Sequence, residues 1–566
     1  MVYGSINDAA KALFSSISTA AKDATFTTAS STEALMEGAA LIKAAKVVGE
    51  LVSSLPTEAG VLLNDGAWVR PIEWLPMPAL TKADNTFAGL FAIFPEGGNV
   101  VALSAADAYT VDWGDGVVEN FATGATAEHE YNYASISGTP FRGYKQAIIK
   151  VYPQAGQTLT LVDLVKKHTK MSTYSGVYSY PYLEIKFYST TATGFRAEHP
   201  SATSTRTSKL GMLEHLEMSF DAMGSIAYLL YINKSLAKVT IKDSAITSLD
   251  YAFIDSGVQE IDIRNTSCAT LQYAFQSCKA LVRVSAFDII GGSNATGCFN
   301  VCTALVSFPD IQLNGVWNCS NMFDSCSALL EAPNMTFTGS INAGSMFTNC
   351  RSLVKAKLIN FAACTAYTSM FLGCGSLRYV HPIRLAGGDV SNMFSGCLSL
   401  VEPPITTVAN GVSLYQYLTS SGITWFDSDT HLVMEGTTPS LGGIFTNCSR
   451  LRSVKFTSLY GASTITQMCS SCLSLVSLEL PSINSQSSVT GLVPTSSDLR
   501  AVRIPGAKST ISVAHNKLSA AALNQLFTDL ASGVSAQTIT VTGNLGINEP
   551  GYDPTIATAK GWTVTA

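Results

Sequence analysis

The chain has 566 residues and a formal net charge of −6, and only 13% of its residues are charged. A charged fraction about half that of ordinary soluble domains excludes a polybasic nucleic-acid binder and a charged disordered chain. The length permits roughly three or four domains, and the absence of any run of about 18 apolar residues predicts no insertion into a membrane.

Residues 1–60 are rich in alanine and carry two helical patterns. Apolar residues recur at steps of four and three over 6–20 and 34–55, which is the spacing of one helix face. Ser30 and Glu33 form the pattern of a capping box before the second helix. The spacing suits a seam between partner helices or a plain amphipathic helix. We therefore predict a helical attachment or oligomerisation segment.

Residues 61–204 contain YTVDWGDG at 109–116, HEYNY at 129–133 and QAIIKVY at 146–152. Asp and Gly in such a turn favour a tight hairpin. These motifs resemble PKD-type domains, which implies a β-sandwich and a connector here. The aromatic-rich segment 171–188 either completes that domain or joins it to the C-terminal part of the chain. The turn that carries the resemblance consists of Asp112, Trp113, Gly114, Asp115 and Gly116.

Two interpretations of Asp112 and Asp115 stay open. Their carboxylates either cap backbone amides in the turn or bind a calcium ion. Two carboxylates are few ligands for calcium, so we expect capping.

From residue 205 to about 510 the chain repeats the motif Phe-x-x-Cys-x-x-Leu in about a dozen units. The repeat cysteines from Cys278 to Cys397 are 24, 24, 24, 24 and 23 residues apart. The 51 residues between Cys397 and Cys448 hold one degenerate copy and a short insertion. A fixed period of this length is typical of a solenoid. The residues predicted to form its core are Phe275, Cys278, Leu281, Phe299, Cys302, Leu305, Phe323, Cys326, Leu329, Phe347, Cys350, Leu353, Phe371, Cys374, Leu377, Phe394, Cys397, Leu400, Phe445, Cys448, Leu451, Cys472 and Leu475.

Alternating apolar positions come after each motif, as in SLVKAKLINF at 352–361, and predict one short strand per unit. A dozen units stacked at the strand spacing give a ladder about 55–60 Å long. Cysteine is small and apolar enough to bury, so we expect the repeat cysteines to be buried free thiols. A metal or redox role for the pair Cys469 and Cys472 is the alternative.

The unit, as in SNMFSGCLSLVEPP and GSMFTNCRSLVKA, resembles BspA-like leucine-rich repeats, and the resemblance covers residues 205–565. Such repeats occur in bacterial surface proteins and in virion proteins of tailed phages. Residues 511–566 resemble the terminal unit of these arrays, with a helix at about 518–531 and a strand at about 538–542. An array exposes its last apolar rung, so we predict that 511–566 cap it.

The predicted fold is mainly β with short helices. It consists of N-terminal helices, a PKD-like β-sandwich, a leucine-rich-repeat solenoid of about a dozen coils and a C-terminal cap.

Catalytic chemistry is sparse. The seven histidines form neither H-x-x-x-H nor H-E-x-x-H, and neither a nucleophile elbow nor a phosphate loop is present. We therefore predict no enzyme activity, no cofactor and no metal. Acids that cleave glycans need not be neighbours in sequence, so a glycan-degrading tailspike is the third hypothesis.

The resemblance implies a phage virion protein, either a tail or head fibre or a capsid decoration, made in the host cytoplasm. The N-terminal segment would bind other virion proteins, and the chain would be a homotrimer, as phage fibres commonly are. The solenoid would bind a glycan or protein on the host surface through many weak contacts. The alternative is a bacterial cell-surface adhesion protein. The first residues lack a basic start followed by an apolar run, so no secretory signal is predicted.

Overall fold

The computed structural model describes residues 68–171, 180–197, 210–291, 294–338, 341–357, 364–494 and 498–566. The helices predicted within residues 1–60 lie outside these ranges, and so do residues 172–179 of the aromatic-rich segment. The described residues belong to one compact unit, Gly66–Ala566. They are mainly β, with few and short helices, as predicted.

Nine strands in two sheets precede the array. They are β1 (Thr86–Ile93), β2 (Val100–Ala105), β3 (Tyr109–Asp112), β4 (Val118–Phe121), β5 (Thr126–Glu130), β6 (Lys145–Pro153), β7 (Leu161–Asp163), β8 (Tyr182–Ser189) and β9 (Gly194–Arg196). One sheet has the order β4-β3-β6-β1-β8, and the other has the order β5-β2-β7-β9. Short 3-10 helices lie at Lys82–Asp84 and Tyr133–Ser135.

The two sheets pack face to face around aromatic side chains. The ring centroids of Phe87 on β1 and Phe195 on β9 are 6.1 Å apart, and those of Phe91 and Tyr131 are 5.5 Å apart. All eight residues of β1 are buried, because Trp74 and its neighbours cover the outer face of that sheet. A strand buried on both faces reads as a nearly continuous apolar run, as TFAGLFAI does. The likeness of this region to PKD domains stays a prediction.

The sandwich and the array share one hydrogen-bonded sheet. Strand β8 pairs antiparallel with β1 and parallel with β10 (His215–Phe220). From β10 onward neighbouring strands of this sheet are parallel. The described end of the aromatic-rich segment therefore both completes the sandwich and joins it to the array. Strand β8 belongs to the sandwich and also begins the parallel ladder.

The array continues as short parallel strands. They are β11 (Met223–Ser225), β12 (Lys238–Lys242), β13 (Ala245–Ser248), β14 (Glu260–Cys268), β15 (Arg283–Ile290), β16 (Ile311–Asn314), β17 (Glu331–Ala332), β18 (Met335–Thr338), β19 (Ile341–Asn342), β20 (Lys355–Ala356), β21 (Cys364–Ala366), β22 (Tyr379–Val380), β23 (Ile383–Leu385), β24 (Thr406–Val408), β25 (Trp425–Asp427), β26 (Leu432–Met434), β27 (Ser453–Lys455), β28 (Ser477–Glu479) and β29 (Ala501–Arg503). The solenoid has about 14 turns from residue 215 onward. The dozen coils predicted for residues 205–510 agree with this count, because the turns from residue 215 onward include those of the terminal segment.

The repeat phenylalanines stack directly over one another. The rings of Phe323 and Phe347 are 5.4 Å apart and nearly parallel, and Phe347 and Phe371 are 5.6 Å apart. The stack ends where Tyr417 meets the ring of Phe394 edge-on. All the repeat residues predicted to form the core are buried. Equivalent residues of successive coils therefore lie over one another within one hydrophobic core.

The repeat thiols form a second column with a regular hydrogen bond. The thiol of Cys350 donates to the carbonyl oxygen of Phe323 at 3.1 Å, and that of Cys374 donates to Phe347 at 3.1 Å. Each carbonyl also accepts the backbone N–H of its own coil's cysteine, as Phe347 does from Cys350. Where serine replaces cysteine, as at Ser256, its hydroxyl contacts the next thiol at 3.3 Å. Each of these buried donors thus has a partner.

All 13 cysteines are free and buried, and we expect none to react in the native protein. Burial raises the pKa of Cys326 and Cys374 to about 12, so the reactive thiolate is scarce at neutral pH. An aromatic disulfide reagent should label no thiol of the native chain and all 13 in guanidinium. A thiol that reacts within minutes under native conditions would contradict this placement.

Two residues per coil have a left-handed backbone, which explains the Gly, Asn and Ser around each motif. In the coil of Phe347 they are Ser345 (φ 55°) and Asn349 (φ 58°). Each is the third residue of a turn closed by a hydrogen bond, such as Cys350 N to Phe347 O at 3.2 Å. Such type II turns require positive φ at that position, which Gly and Asn adopt most readily.

The long gap in the cysteine spacing contains one coil with Ser421 at the cysteine position, 3.6 Å from the Cys448 sulfur. The next coil is three residues longer than usual, at 27 residues. It includes the single-turn helix α1 (Ser428–His431), which is capped by the carboxylate of Asp427. The ring of His431 packs 4.4 Å from that of Trp425.

His431 should make stability fall in mild acid. Burial lowers its pKa, against the opposing effects of Asp427 and Glu402. The folded state therefore favours neutral histidine, so its contribution is complete above the unfolded pKa of about 6.5 and is lost as the pH falls through the folded pKa. Thermal melts from pH 7 to pH 5 should show a smaller loss for His431→Gln than for the partly exposed control His381→Gln. Equal losses would contradict the prediction.

The terminal segment continues the stack and packs a helix against it. Its elements are β30 (Ile511–Ser512), α2 (Ala520–Asp529), β31 (Gln537–Thr540), a 3-10 helix (Leu545–Asn548), α3 (Thr555–Thr558) and β32 (Trp562–Thr565). The three strands are parallel neighbours. Ser519 caps α2, and Leu523, Leu526 and Phe527 are buried from it.

Candidate ligand-binding face

The carboxylates of the predicted PKD-like turn are engaged within the turn. Asp112 accepts the N–H of Gly114 at 3.0 Å and pairs with Lys150 at 3.1 Å. Asp115 accepts the N–H of Val117 at 3.1 Å and contacts His129 Nε2 at 2.7 Å. The expected capping is therefore present, and it uses the oxygens that a calcium ion would need.

The rest of the turn is held by aromatic packing and by close approach of the chain. The ring of Trp113 stacks on His129 at 4.7 Å, and Tyr131 donates a hydrogen bond to the Trp113 carbonyl at 2.7 Å. Gly114 has φ 79°, and a Cβ there would lie 2.5 Å from the Ile148 carbonyl oxygen. Gly116 also has positive φ, at 97°. These contacts give the turn a structural role.

A buried polar cluster lies where the sandwich meets the array. His215 contacts Glu184 at 2.9 Å through Nδ1 and Thr240 at 3.3 Å through Nε2. Burial alone opposes ionisation of Glu184, but hydrogen bonds from His215 and Arg70 hold its pKa below the usual value. The acid, histidine and hydroxyl are in the order of a catalytic relay. However, Trp68 packs on the His215 ring at 5.2 Å and Thr240 is buried, so the cluster joins elements and offers no access to substrate.

The side chains that point outward from the strand after each motif form a continuous surface, which we call the strand face. Alternation along each strand buries Ala356 and exposes Lys355. The registers align three rows at this strand position, namely Lys238 with Glu260 and Arg283, Glu331 with Lys355 and Tyr379, and Trp425 with Ser453, Ser477 and Ala501. Of these residues, Glu260 is itself buried beneath its neighbours.

The rows differ in charge and aromatic content. In the first, Lys238 and Glu260 form an ion pair at 3.0 Å, which leaves little charge available. The last row has the partly exposed Trp425 beside uncharged residues. The middle row places the ammonium group of Lys355 beside the half-exposed ring of Tyr379. It therefore offers both a charged group and an aromatic surface to a ligand.

A solvent-open cleft of about 530 Å³ lies on the middle row. We call it the lysine–tyrosine cleft, and it is lined by Asn334, Lys355, Lys357, Tyr379 and His381. The Lys355 ammonium lies 5.8 Å from the centroid of the Tyr379 ring. The cleft was not predicted from the sequence, because the repeat signal lies in the buried positions, while Lys355 and Tyr379 occupy the same outward position in successive units.

The described residues hold no group of three or more His, Cys, Asp or Glu side chains arranged to bind a metal ion. Cys469 and Cys472 are both buried in the core, and the Cys472 thiol donates to the Phe445 carbonyl at 3.0 Å. Within the same ranges no helix has the length and apolar character needed to cross a membrane.

Comparison with known proteins identifies the repeat. Residues 218–329 match, in six copies, the family model described as BspA type leucine rich repeat region. This part of the array is built of BspA-type leucine-rich repeats. A solenoid of this kind is suited to binding or adhesion. No curated protein matches the chain.

Solved structures are similar to this chain only at a coarse level. A TLR13–ssRNA13 complex is 11% identical over 66% of this chain and 68% of that chain, with a TM-score of 0.18. The LRR protein LIC12759 of Leptospira interrogans is 9% identical over 65% of this chain and 95% of its own, with a TM-score of 0.20. The plant peptide hormone receptor RGFR1 in complex with RGF2 is 12% identical over 67% and 79%, with a TM-score of 0.16. The assignment of the fold therefore rests on the repeat match and on the stacking of the coils.

Proposed function

We propose that this protein is a non-enzymatic virion structural protein of a tailed phage, as a tail or head fibre or a capsid decoration, whose solenoid binds a glycan or protein on the host surface. The observation that carries the binding role is the strand face, which presents one repeated position of successive coils side by side. The resemblance of the repeat and of the terminal unit supports the virion role, and it suits the alternative, a bacterial cell-surface adhesion protein, as well.

The architecture suggests how such a protein would work. The segment 1–60 would attach to other virion proteins, the sandwich would act as a spacer, and the array would be displayed. Since β8 belongs to the sandwich sheet and pairs with the first strand of the array, the spacer would hold the strand face in a fixed orientation. Weak contacts along the face, multiplied over several copies, would give avidity.

Two acids of the array are engaged in ion pairs, Glu331 with Lys357 at 3.0 Å and Glu435 with Arg384 at 2.5 Å. A carboxylate whose oxygens already contact a cation is less available to a substrate, which supports a non-enzymatic role.

Binding of labelled full-length protein to a panel of bacterial cells tests this function. We expect saturable binding to some strains, competition by their purified envelope polysaccharide, and no shortening of that polysaccharide. Shortening would instead identify the chain as a glycan-degrading tailspike, and binding to none of the strains would contradict the adhesive role.

A homotrimer held by the N-terminal segment is part of the proposal. In sedimentation, the full-length chain should have three times the mass of one chain, and a variant that lacks residues 1–60 should lose that assembly. An unchanged monomer in both cases would contradict this part alone.

A further inference from the structure

The lysine–tyrosine cleft has the chemistry of a saccharide site. We propose that it binds an acidic sugar residue, with the sugar's carboxylate at the lysines and its ring against Tyr379. The inference rests on the proposed function, since it names the class of ligand that the strand face would recognise.

The charge of the cleft favours an anion. Lys357 pairs with Glu331 at 3.0 Å, whereas Lys355 has no acidic partner among the residues that the structure describes. The other nearby acid, Asp310, accepts two hydrogen bonds from Asn334, at 2.9 and 2.7 Å. Lys355 therefore presents an uncompensated ammonium group, and a ligand carboxylate would complete the pair.

The aromatic ring beside this ammonium group favours a sugar over a small inorganic anion. Tyr379 is 49% exposed, so about half of its surface is open to a ligand. A pyranose has one face of C–H groups, which packs on an aromatic ring while its hydroxyls stay solvated. Because the ammonium of Lys355 is 5.8 Å from the ring centroid, one sugar residue can contact both.

The remaining lining groups can bind hydroxyls. His381 Nδ1 contacts the carbonyl oxygen of Pro382 at 3.1 Å, which orients the imidazole and leaves Nε2 for a ligand. Asn334 uses its N–H and Nδ2 groups on Asp310, and its side-chain oxygen remains an acceptor. A few fixed polar groups around one apolar surface are typical of sites that recognise small polar molecules.

Nucleic acid is a poor fit to the same cleft. Binding a phosphate backbone needs a basic stripe along several repeats, and the neighbouring row has its lysine paired with Glu260. The chain as a whole is acidic, with a net charge of −6. The favourable interaction is therefore local and matches the carboxylate of one acidic sugar residue at a time.

Calorimetry with full-length protein tests the proposal. The probe is a hyaluronan hexasaccharide, which carries glucuronate carboxylates, and its control is the same hexasaccharide with the carboxylates reduced to alcohols. We expect the acidic form to bind at least about tenfold more tightly, which is the ratio for one hydrogen bond to a charged group. Lys355→Gln and Tyr379→Ala should each weaken binding of the acidic form by at least about tenfold.

The matched control is Lys279→Gln, which removes the same charge from an exposed position outside the cleft and should leave binding unchanged. Equal affinity of the wild-type chain for both hexasaccharides, binding of neither, or equal weakening by Lys279→Gln and Lys355→Gln would overturn the proposal. A wild-type chain that binds neither hexasaccharide but still adheres to bacterial cells would overturn the cleft assignment alone. A chain that adheres to no cells would also contradict the proposed function.

Discussion

Replacing Phe347 by alanine should lower the free energy of unfolding by about 3–5 kcal/mol, as for other fully buried aromatic residues. The ring is fully buried and lies between Phe323 and Phe371, at 5.4 and 5.6 Å. The coils on both sides are closely packed, so they cannot move inward to fill the cavity that the missing ring leaves. The midpoint of guanidinium unfolding measures the change.

Val354→Ala is the matched control, because Val354 is an apolar residue nearby that is 41% exposed. It should change stability by no more than about 0.5 kcal/mol. Repeat arrays can unfold in parts, so hydrogen exchange should locate the loss of Phe347→Ala in the coils that flank residue 347. Equal effects of the two substitutions would show that the phenylalanine column does not carry the core.

Gly388→Ala should destabilise the protein by about 2–4 kcal/mol, from left-handed strain and overpacking together. Gly388 has φ 76°, and a Cβ there would lie 1.7 Å from the carbonyl oxygen of Thr365. That oxygen belongs to the preceding coil, so the new methyl group would force apart the backbones of two coils. Guanidinium unfolding again measures the effect.

The adjacent Gly387 provides the control. A Cβ on Gly387 would meet no atom within 4 Å, and its φ is outside the left-handed region. Gly387→Ala should therefore be neutral, or stabilising by up to about 1 kcal/mol through the unfolded state. If both substitutions were equally harmful, flexibility of the glycine pair rather than close stacking of coils would explain the effect.

The stack of coils was predictable because its signal is repeated in every unit. A buried position that recurs each 24 residues fixes the period, and alternation after the motif fixes the strand. Gly and Asn also occupy left-handed positions of the coils, as at Gly373 and Asn349. The thiol hydrogen bonds were not predictable, since they depend on the orientation of a carbonyl group in the neighbouring coil.

Features that occur only once in the chain could not be predicted from the sequence. Glu184 and His215 come from different elements and meet only because β8 pairs with β10. His431 lies in the coil that is three residues longer than the others. The spacing of the repeat shows that this coil has an insertion but does not predict the structure that the insertion adopts. The lysine–tyrosine cleft is an intermediate case, because an alignment of the outward positions of the repeat would have placed Lys355 beside Tyr379.

The central claim, that residues one repeat apart lie side by side on the strand face, can be measured with paired cysteines. Lys355 and Tyr379 are direct partners in neighbouring coils, and Glu331 lies one coil further from Tyr379. Adjacent parallel strands are about 4.8 Å apart and strands two apart about 9.6 Å, on either side of the limit for a disulfide. After mild oxidation, the variant with Lys355→Cys and Tyr379→Cys should form an intrachain disulfide, whereas that with Glu331→Cys and Tyr379→Cys should keep both thiols free. Cross-linking of the second pair but not the first would contradict the stacked solenoid.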